Sequence, residues 1–223
     1  MLFIGDVHIH DKDSLERYHD LLINHSQSVQ VGDFSTIPEI WDLHNNSTTS
    51  SEHKILQGNH DNMDKYPYSR FSLGNYGIFP IFSPLRQKRY SCGFIRGAQS
   101  IDSGKRPSRY YLTTEENAEV DETLLTNVTH WENEELDYNS LCNAVVDIIQ
   151  AKPDIIITHD CPQSVCESLF GITDTTKTRN ALNVLFSQFQ PKIWIFGHHH
   201  KDKQQSINGT EFVCLDMWST LEI

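Results

Sequence analysis

The sequence predicts a mixed α/β domain, and three observations support this class. Apolar runs of strand length recur along the chain, helical spacing of apolar residues lies between several of them, and the middle third is rich in short strands. A chain of 223 residues can bury a core that folds without a disulfide or a metal. Because no internal repeat and no Pro-, Gly- or Ser-rich linker is visible, we expect one domain over residues 1–223.

The first third of the chain alternates strands with helical spacing. Three buried strands are expected there, at residues 2–5, 29–32 and 54–56. Apolar residues between positions 15 and 22 recur at helical spacing, and Ser14 suits an N-cap, so the pattern predicts a helix over residues 14–24. The polar run HNNSTTSS at 44–51 predicts an exposed loop.

The middle of the chain predicts an antiparallel region followed by irregular structure. Short apolar segments between residues 77 and 97 are typical of strands. Periodicity weakens at 99–139, where acidic residues accumulate. We expect this segment to lie over a functional site or to form a solvated acidic face.

Regular periodicity returns in the last third. Helices are expected over residues 141–149 and 181–189, each ended by a proline. Buried strands are expected at 154–157 and 193–196. The Asn208-Gly209 pair suits a type I′ turn and predicts a hairpin of strands 204–207 and 211–215.

Composition excludes several classes of protein. The formal net charge of −12 argues against a broad basic surface that binds nucleic acid. No apolar run reaches the roughly 18 residues of a membrane span, so we expect no membrane partner. The chain opens without a secretory signal, and its five cysteines are dispersed with no C-x-x-C pair. These features favour a cytoplasmic protein.

Five of the predicted strands are each followed by Asp, Asn or His. The segments are Asp6-Val7-His8, Gly32-Asp33, Gly58-Asn59-His60-Asp61, His159-Asp160 and Gly197-His198-His199-His200. The carboxyl ends of strands are where α/β folds form ligand sites, and these side chains suit Mn²⁺, Fe or Zn²⁺. Any one segment alone is more typical of a turn with a surface histidine, but the ordered set of five favours a metal site.

This order of motifs resembles the calcineurin-like metallophosphoesterase superfamily, and the resemblance extends from residue 6 to residue 200. It implies a four-layer αββα sandwich in which helices flank two mixed β-sheets. It also implies a dinuclear metal site at the strand carboxyl ends. The cofactors would be two divalent ions, Mn first, with Fe, Zn or Ni as alternatives.

The resemblance also implies a role for each matched residue. Asp6, His8, Asp33 and His200 would hold one metal, and Asp33, Asn59, His159 and His198 the other, with Asp33 bridging. His60 would act as general acid for the leaving group, because an imidazole can be protonated at neutral pH. Asp61 would orient the His60 ring, and its alternative role is a loop cap.

The implied activity is hydrolysis of phosphate mono- or diesters by a metal-bridging hydroxide. The metals would supply the positive charge that an acidic protein needs for an anionic substrate. After Asp33 the chain lacks the Asp-Arg pair of the Ser/Thr protein phosphatases, which argues against that activity. The alternatives are a Mn-dependent nuclease, with nucleic acid only as substrate, and a non-catalytic scaffold resembling the retromer subunit of this fold.

Three further segments resemble small phage and bacterial members of the superfamily. They are residues 96–102, 131–136 and 158–162. Arg106 and Arg109, which follow the first segment, are candidates to bind a substrate phosphate, and an ordinary surface position is the alternative. Asp160 and His199 flank the candidate ligands and receive no ligand role. The sequence makes no prediction of the oligomeric state.

Overall fold

The computed structural model describes residues 1–61, 69–100, 131 and 133–223. Within these residues the chain forms ten strands and five helices. The strands are β1 (Leu2–Ile4), β2 (Ser28–Gln30), β3 (His53–Ile55), β4 (Tyr76–Ser83), β5 (Lys88–Ile95), β6 (Ile155–Thr158), β7 (Ile193–Phe196), β8 (Lys203–Ile207), β9 (Thr210–Cys214) and β10 (Thr220–Glu222). The helices are α1 (Lys12–Leu22), α2 (Pro38–Asn45), α3 (Tyr138–Ala151), α4 (Gln163–Phe170) and α5 (Lys177–Gln188).

The strands form two mixed sheets. The four-stranded sheet has the order β10-β1-β2-β3, in which only β10 is antiparallel to its neighbour. The six-stranded sheet has the order β4-β5-β6-β7-β9-β8. Its inner strands β5, β6, β7 and β9 are parallel, and β4 and β8 close the two sides in antiparallel pairs.

Three apolar layers hold the two sheets and the helices together. Successive side chains of a strand point to opposite faces of the sheet and therefore belong to two different layers. In β1, Phe3 packs between the sheets, while Leu2 and Ile4 pack against α1 and α2. Ile155 and Ile157 likewise face the four-stranded sheet, whereas Ile156 packs against α3, α4 and α5. The result is the predicted αββα sandwich, in which the central strands of both sheets are covered on both faces.

The hairpin prediction is confirmed by the backbone. Asn208 and Gly209 have φ angles of 49° and 84°, which are the positive values that a type I′ turn requires at both central residues. The antiparallel middle region is confirmed as well, since β4 and β5 pair over their full lengths. Most of the acidic segment 99–139 lies outside the described residues.

The start of α1 differs from the prediction. Asp11, not Ser14, is the N-cap, and its side chain accepts the amide of Ser14 at 2.8 Å. The Ser14 hydroxyl in turn accepts the amide of Asp11 at 3.2 Å, which completes a capping box. The helix therefore begins at Lys12, before the first apolar residue that the periodicity detects.

The predicted exposed loop at 44–51 is wrong at its first residues, because α2 extends to Asn45 and buries His44. The His44 ring packs against the rings of Tyr18, Phe34 and Phe71, and its Nδ1 lies 2.9 Å from His19 Nε2. Burial lowers the pKa of His44 to about 3. A histidine with only 1% of its surface exposed is therefore neutral in the folded protein at neutral pH.

His44 should make the protein less stable in mild acid. Below about pH 6.5 the unfolded chain takes up a proton at this residue that the folded chain does not, so the free energy of unfolding falls by about 2 kcal/mol by pH 5. His44→Phe should lose less stability between pH 7 and pH 5 in urea unfolding. His10→Phe, at an exposed histidine, is the control. An unchanged pH slope in His44→Phe would refute the assignment.

Three short elements, α2, α4 and β10, are not predicted from the sequence. α4 begins after Pro162 without a side-chain cap, and β10 exists through its antiparallel pairing with β1.

None of the described helices is long and apolar enough to cross a lipid bilayer.

Candidate metal centre

The predicted site residues converge where the parallel strands of the two sheets end. Asp6 and His8 follow β1, Asp33 follows β2, Asn59, His60 and Asp61 follow β3, His159 follows β6, and His198 and His200 follow β7. Backbone hydrogen bonds join these loops: the His8 amide donates to Asp33 O (2.9 Å) and the Gly197 amide to His159 O (3.0 Å). The candidate ligands therefore sit on short loops anchored to buried strands.

The candidate ligands form two groups that share Asp33. In each group the ligand atoms lie within 4.8 Å of one another. The first group consists of Asp6, His8, Asp33 and His200. The second consists of Asp33, His159 and His198. Asn59 joins the second group, since its Oδ1 lies 3.0 Å from His159 Nε2. His159 Nε2 is also 3.3 Å from Asp33 Oδ2. The arrangement brings together the same seven residues that the resemblance implies.

Two buried polar atoms in these groups indicate that a cation fits there. Asp6 Oδ1 and His198 Nε2 are fully enclosed and have no hydrogen-bond partner among the described residues. An unpaired buried carboxylate oxygen is costly unless a cation balances it. The carboxylate, imidazole and amide donors of the set suit Mn²⁺, Fe or Zn²⁺.

The backbone close to the ligands is tightly constrained. A Cβ atom at Gly58 would collide with Asp33 Oδ1, and one at Gly197 would collide with Asp6 Oδ1. The glycines of the motifs therefore allow the loops to approach the carboxylates. Four candidate ligands also adopt left-handed backbone conformations: His8 (φ 43°), Asp33 (φ 57°), His198 (φ 66°) and His200 (φ 48°). Such strain concentrates at functional sites.

The electrostatics of the centre reflect its buried carboxylates. Burial alone would lower the pKa of His159, but the charges of Asp33 and Asp6 outweigh it and raise this pKa to about 10. Burial raises the pKa of Asp33, yet His159 and the other nearby histidines hold it well below its usual range. The carboxylates thus require a positive charge nearby, which a proton on His159 or a bound cation can supply.

His159 is also oriented for ligation. Its Nδ1 lies 3.0 Å from the Val31 carbonyl oxygen, and an N–H donated there leaves Nε2 free to face Asn59 and Asp33. A histidine held in this way by a backbone carbonyl presents a single nitrogen to a metal.

His60 lies beside the two groups without joining them. Its amide donates to Asp33 Oδ1 (2.9 Å), its carbonyl accepts from Trp131 Nε1 (3.2 Å), and its ring centroid is 5.2 Å from that of His8. The ring is partly exposed and lines the cavity described below.

The hydrogen bonds of Asp61 go to backbone amides and not to the His60 ring, which it was predicted to orient. Its Oδ1 accepts the amides of Phe34 (2.9 Å) and Ser35 (3.0 Å), and its Oδ2 accepts the amide of Gly58 (2.8 Å). These contacts tie the loop after β2 to the loop after β3. The alternative role considered for Asp61, a loop cap, is the one that its described contacts support.

Two residues that received no individual role in the sequence analysis, although both lie in segments singled out there, hold Asn59 in place. Asn59 Nδ2 donates to Ser100 Oγ (3.0 Å), and Ser100 Oγ donates to Glu134 Oε2 (2.6 Å). Glu134 Oε1 also accepts the Ser100 amide at 2.7 Å. This chain of donors directs Asn59 Oδ1 toward His159. Burial raises the pKa of Glu134 to about 7, although the hydrogen bonds from Ser100 act to lower this pKa.

Glu134→Gln should weaken metal binding by about 10- to 100-fold, as outer hydrogen-bond partners of ligands commonly do. Glutamine has one acceptor oxygen where glutamate has two, so it cannot accept both the Ser100 amide and the Ser100 hydroxyl, and the amide of Asn59 loses its fixed orientation. Titration of the metal-free protein with Mn²⁺ measures the effect. Glu16→Gln, at an exposed position on α1, is the control. Equal Mn²⁺ affinity in the two variants would contradict this role for Glu134.

A cavity of about 420 Å³ opens onto the shared carboxylate. Its lining residues are Asp33, Asn59, His60, Ser100, Phe170, Ile172, His198, His199, His200 and Lys201. Lys201 is a cation in this lining that the motif analysis did not single out, because one lysine after a histidine run carries no pattern. The predicted substrate residues Arg106 and Arg109 lie outside the described residues.

Solved structures with the same fold come from distant proteins. One is GAP50, the anchor in the inner membrane complex of Plasmodium, at 12% identity over 96% of this chain and 70% of that chain, with a TM-score of 0.51. Another is phosphopantetheinyl hydrolase from Mycobacterium tuberculosis, at 12% identity over 97% of this chain and 89% of that chain, with a TM-score of 0.50. These likenesses show the fold.

A putative 5′-nucleotidase from Staphylococcus aureus is 13% identical, with a TM-score of 0.48 over 97% of this chain and 48% of that chain. A search of curated protein sequences found no match. The family model for calcineurin-like phosphoesterases matches residues 1–202. The chain therefore belongs to the calcineurin-like phosphoesterase family, as its sequence motifs predict.

Proposed function

We propose that this protein hydrolyses phosphate mono- or diesters with the help of two divalent metal ions. Family membership supports a metal-dependent phosphoesterase in general, and some members of the family are not catalytic. The observation that carries the proposal is the position of Asp33, which belongs to both ligand groups and faces the cavity.

Seven residues would hold the metals in this proposal. One ion would bind Asp6, His8, Asp33 and His200, and the other Asp33, Asn59, His159 and His198. Bound divalent ions supply positive charge to the phosphoryl oxygens and lower the pKa of a water. We propose manganese first, because the oxygen and imidazole donors suit it, although the same donors accept Fe, Zn or Ni.

His60 has the proton-transfer role in the proposal. Its ring lines the cavity, and the hydrogen bond from its backbone amide to Asp33 Oδ1 holds the His60 backbone beside the metal centre. A protonated imidazole there can donate to the departing oxygen of the ester. Asp61 supports this geometry by holding the loops on which Asp33 and His60 lie.

The rest of the cavity lining suits a small ester with an apolar part. Phe170 and Ile172 contribute apolar surface to the lining, and Lys201 can contact an anionic group. Four statements stay predictions from the sequence: phosphate binding by Arg106 and Arg109, a cytoplasmic location, a single domain over the whole chain, and the resemblance to small phage and bacterial members.

A panel of substrates tests the proposed function. The Mn²⁺-loaded protein is assayed on 4-nitrophenyl phosphate, bis(4-nitrophenyl) phosphate, nucleotides and single-stranded DNA. We expect turnover of a small ester that chelation abolishes and Mn²⁺ restores. Degradation of DNA alone would favour the nuclease, and absence of all turnover at full metal loading would favour the non-catalytic scaffold.

A further inference from the structure

A further group of side chains that could bind a metal lies beside the two ligand groups that share Asp33, and it has no member in common with them. Asp160, Cys161, Cys166 and His199 each offer one ligand atom, and these atoms all lie within 4.8 Å of one another. They come from the loop after β6, from α4 and from the loop after β7. We call this set the thiol cluster.

Two distances in the thiol cluster are close to those of a tetrahedral metal site. His199 Nε2 lies 3.0 Å from Asp160 Oδ1 and 3.8 Å from Cys161 Sγ. Zinc bonds of about 2.3 Å to sulfur and about 2.0–2.1 Å to nitrogen or oxygen place neighbouring tetrahedral ligands roughly 3.3–3.8 Å apart. The two His199 distances lie within a few tenths of an ångström of these values, and every other pair of ligand atoms lies within 4.8 Å.

The charges around the thiol cluster also balance with one dication. Two thiolates and the Asp160 carboxylate carry three negative charges, and Arg179 contributes one positive charge through its Nε, 2.6 Å from Asp160 Oδ2. A divalent ion makes the sum zero. Since Arg179 engages Oδ2, the other carboxylate oxygen stays on the side of His199.

The thiol cluster is enclosed and its ligands are held from outside. Asp160, Cys161 and Cys166 are fully buried. The Phe170 ring stacks on the His199 ring, with centroids 4.1 Å apart and planes 16° apart. Both cysteines are free thiols in the structure. Burial, four protein ligands and outer-shell contacts are the features of a structural zinc site with no open position.

We propose that Asp160, Cys161, Cys166 and His199 bind a third metal ion, one structural Zn²⁺. Asp160 follows His159 in the chain, and His199 lies between His198 and His200. A zinc ion at the thiol cluster would therefore fasten the two loops that carry three candidate ligands of the dinuclear pair. Soft thiolates favour zinc here, whereas the dinuclear pair has only oxygen and nitrogen donors.

Metal analysis of variants separates this site from the dinuclear pair. In an Asp33→Asn background, which removes the ligand shared by both groups, we expect about one zinc ion per chain to survive dialysis. Adding Cys161→Ser and Cys166→Ser should remove it. Adding Cys92→Ser and Cys142→Ser, which removes two cysteines outside the thiol cluster, should not. Zinc-free Asp33→Asn protein, or equal zinc in both cysteine variants, would overturn the proposal.

A measurement on the unmodified chain covers the case in which the cysteine variants fail to fold. A mercurial reagent that captures thiols should release about one zinc ion per chain, followed with a chromophoric chelator, while bound Mn²⁺ remains. Cobalt in place of zinc should give thiolate charge-transfer absorption. Release of no zinc, or a mass lower by two hydrogens that reveals a Cys161–Cys166 disulfide, would refute the site.

Discussion

Asp33→Asn is expected to abolish the phosphoesterase activity that we propose. The carboxylate of Asp33 belongs to both ligand groups, so its replacement removes the single negative charge that they share and one of its two oxygens. The amide oxygen can still accept the His60 amide, which the carboxylate accepts at 2.9 Å. We expect kcat/KM to fall by at least about 10³-fold, equivalent to about 4 kcal/mol in the barrier.

Metal content should fall together with the activity of Asp33→Asn. Elemental analysis after dialysis against Mn²⁺ should show loss of the dinuclear pair, while the thermal unfolding curve stays cooperative. Asp20→Asn, the same substitution at an exposed position of α1, should keep both metal and turnover. If Asp33→Asn kept full activity, a bridging role for this carboxylate would be untenable.

His60→Ala is expected to reduce turnover by about 10²- to 10⁴-fold while leaving the metals bound, because general acid catalysis contributes about that much. The loss should depend on the leaving group. An alkyl phosphate needs a proton on its departing oxygen and should suffer most. A 4-nitrophenyl ester leaves as a stable anion and should suffer least.

The comparison with a second histidine makes the His60 result specific. His10→Ala removes an exposed imidazole that belongs to neither ligand group. It should leave the rate on both esters unchanged. Equal losses on alkyl and aryl esters in His60→Ala would mean that the ring positions the substrate and does not protonate the leaving group.

Much of the fold and of the candidate centre is predictable because burial dictates both. Strands such as β6 and β7 are buried on both faces, so they appear as continuous apolar runs, and the polar residues that follow them mark the sheet edge. His159 and His198 are therefore identifiable as neighbours in space although 39 positions separate them in the sequence.

Other features depend on tertiary contacts that carry no local pattern. β10 has only three residues and forms because β1 offers a free edge. His44 is buried by aromatic rings from other elements, so the polar residues that follow it in the sequence wrongly predict an exposed position. Ser100 and Glu134 are ordinary polar residues until folding brings them to Asn59. The contacts of Asp61 likewise depend on the fold of two loops.

The left-handed residues at the candidate centre have a consequence for protein engineering. Each non-glycine residue in this conformation costs about 1–3 kcal/mol, and glycine would relieve that cost at His8, Asp33, His198 or His200. Screens that reward heat resistance alone would therefore favour replacements that delete the donor atoms. Directed evolution of a more thermostable variant therefore needs simultaneous selection for turnover, because the substitutions that raise stability at these four positions remove metal ligands.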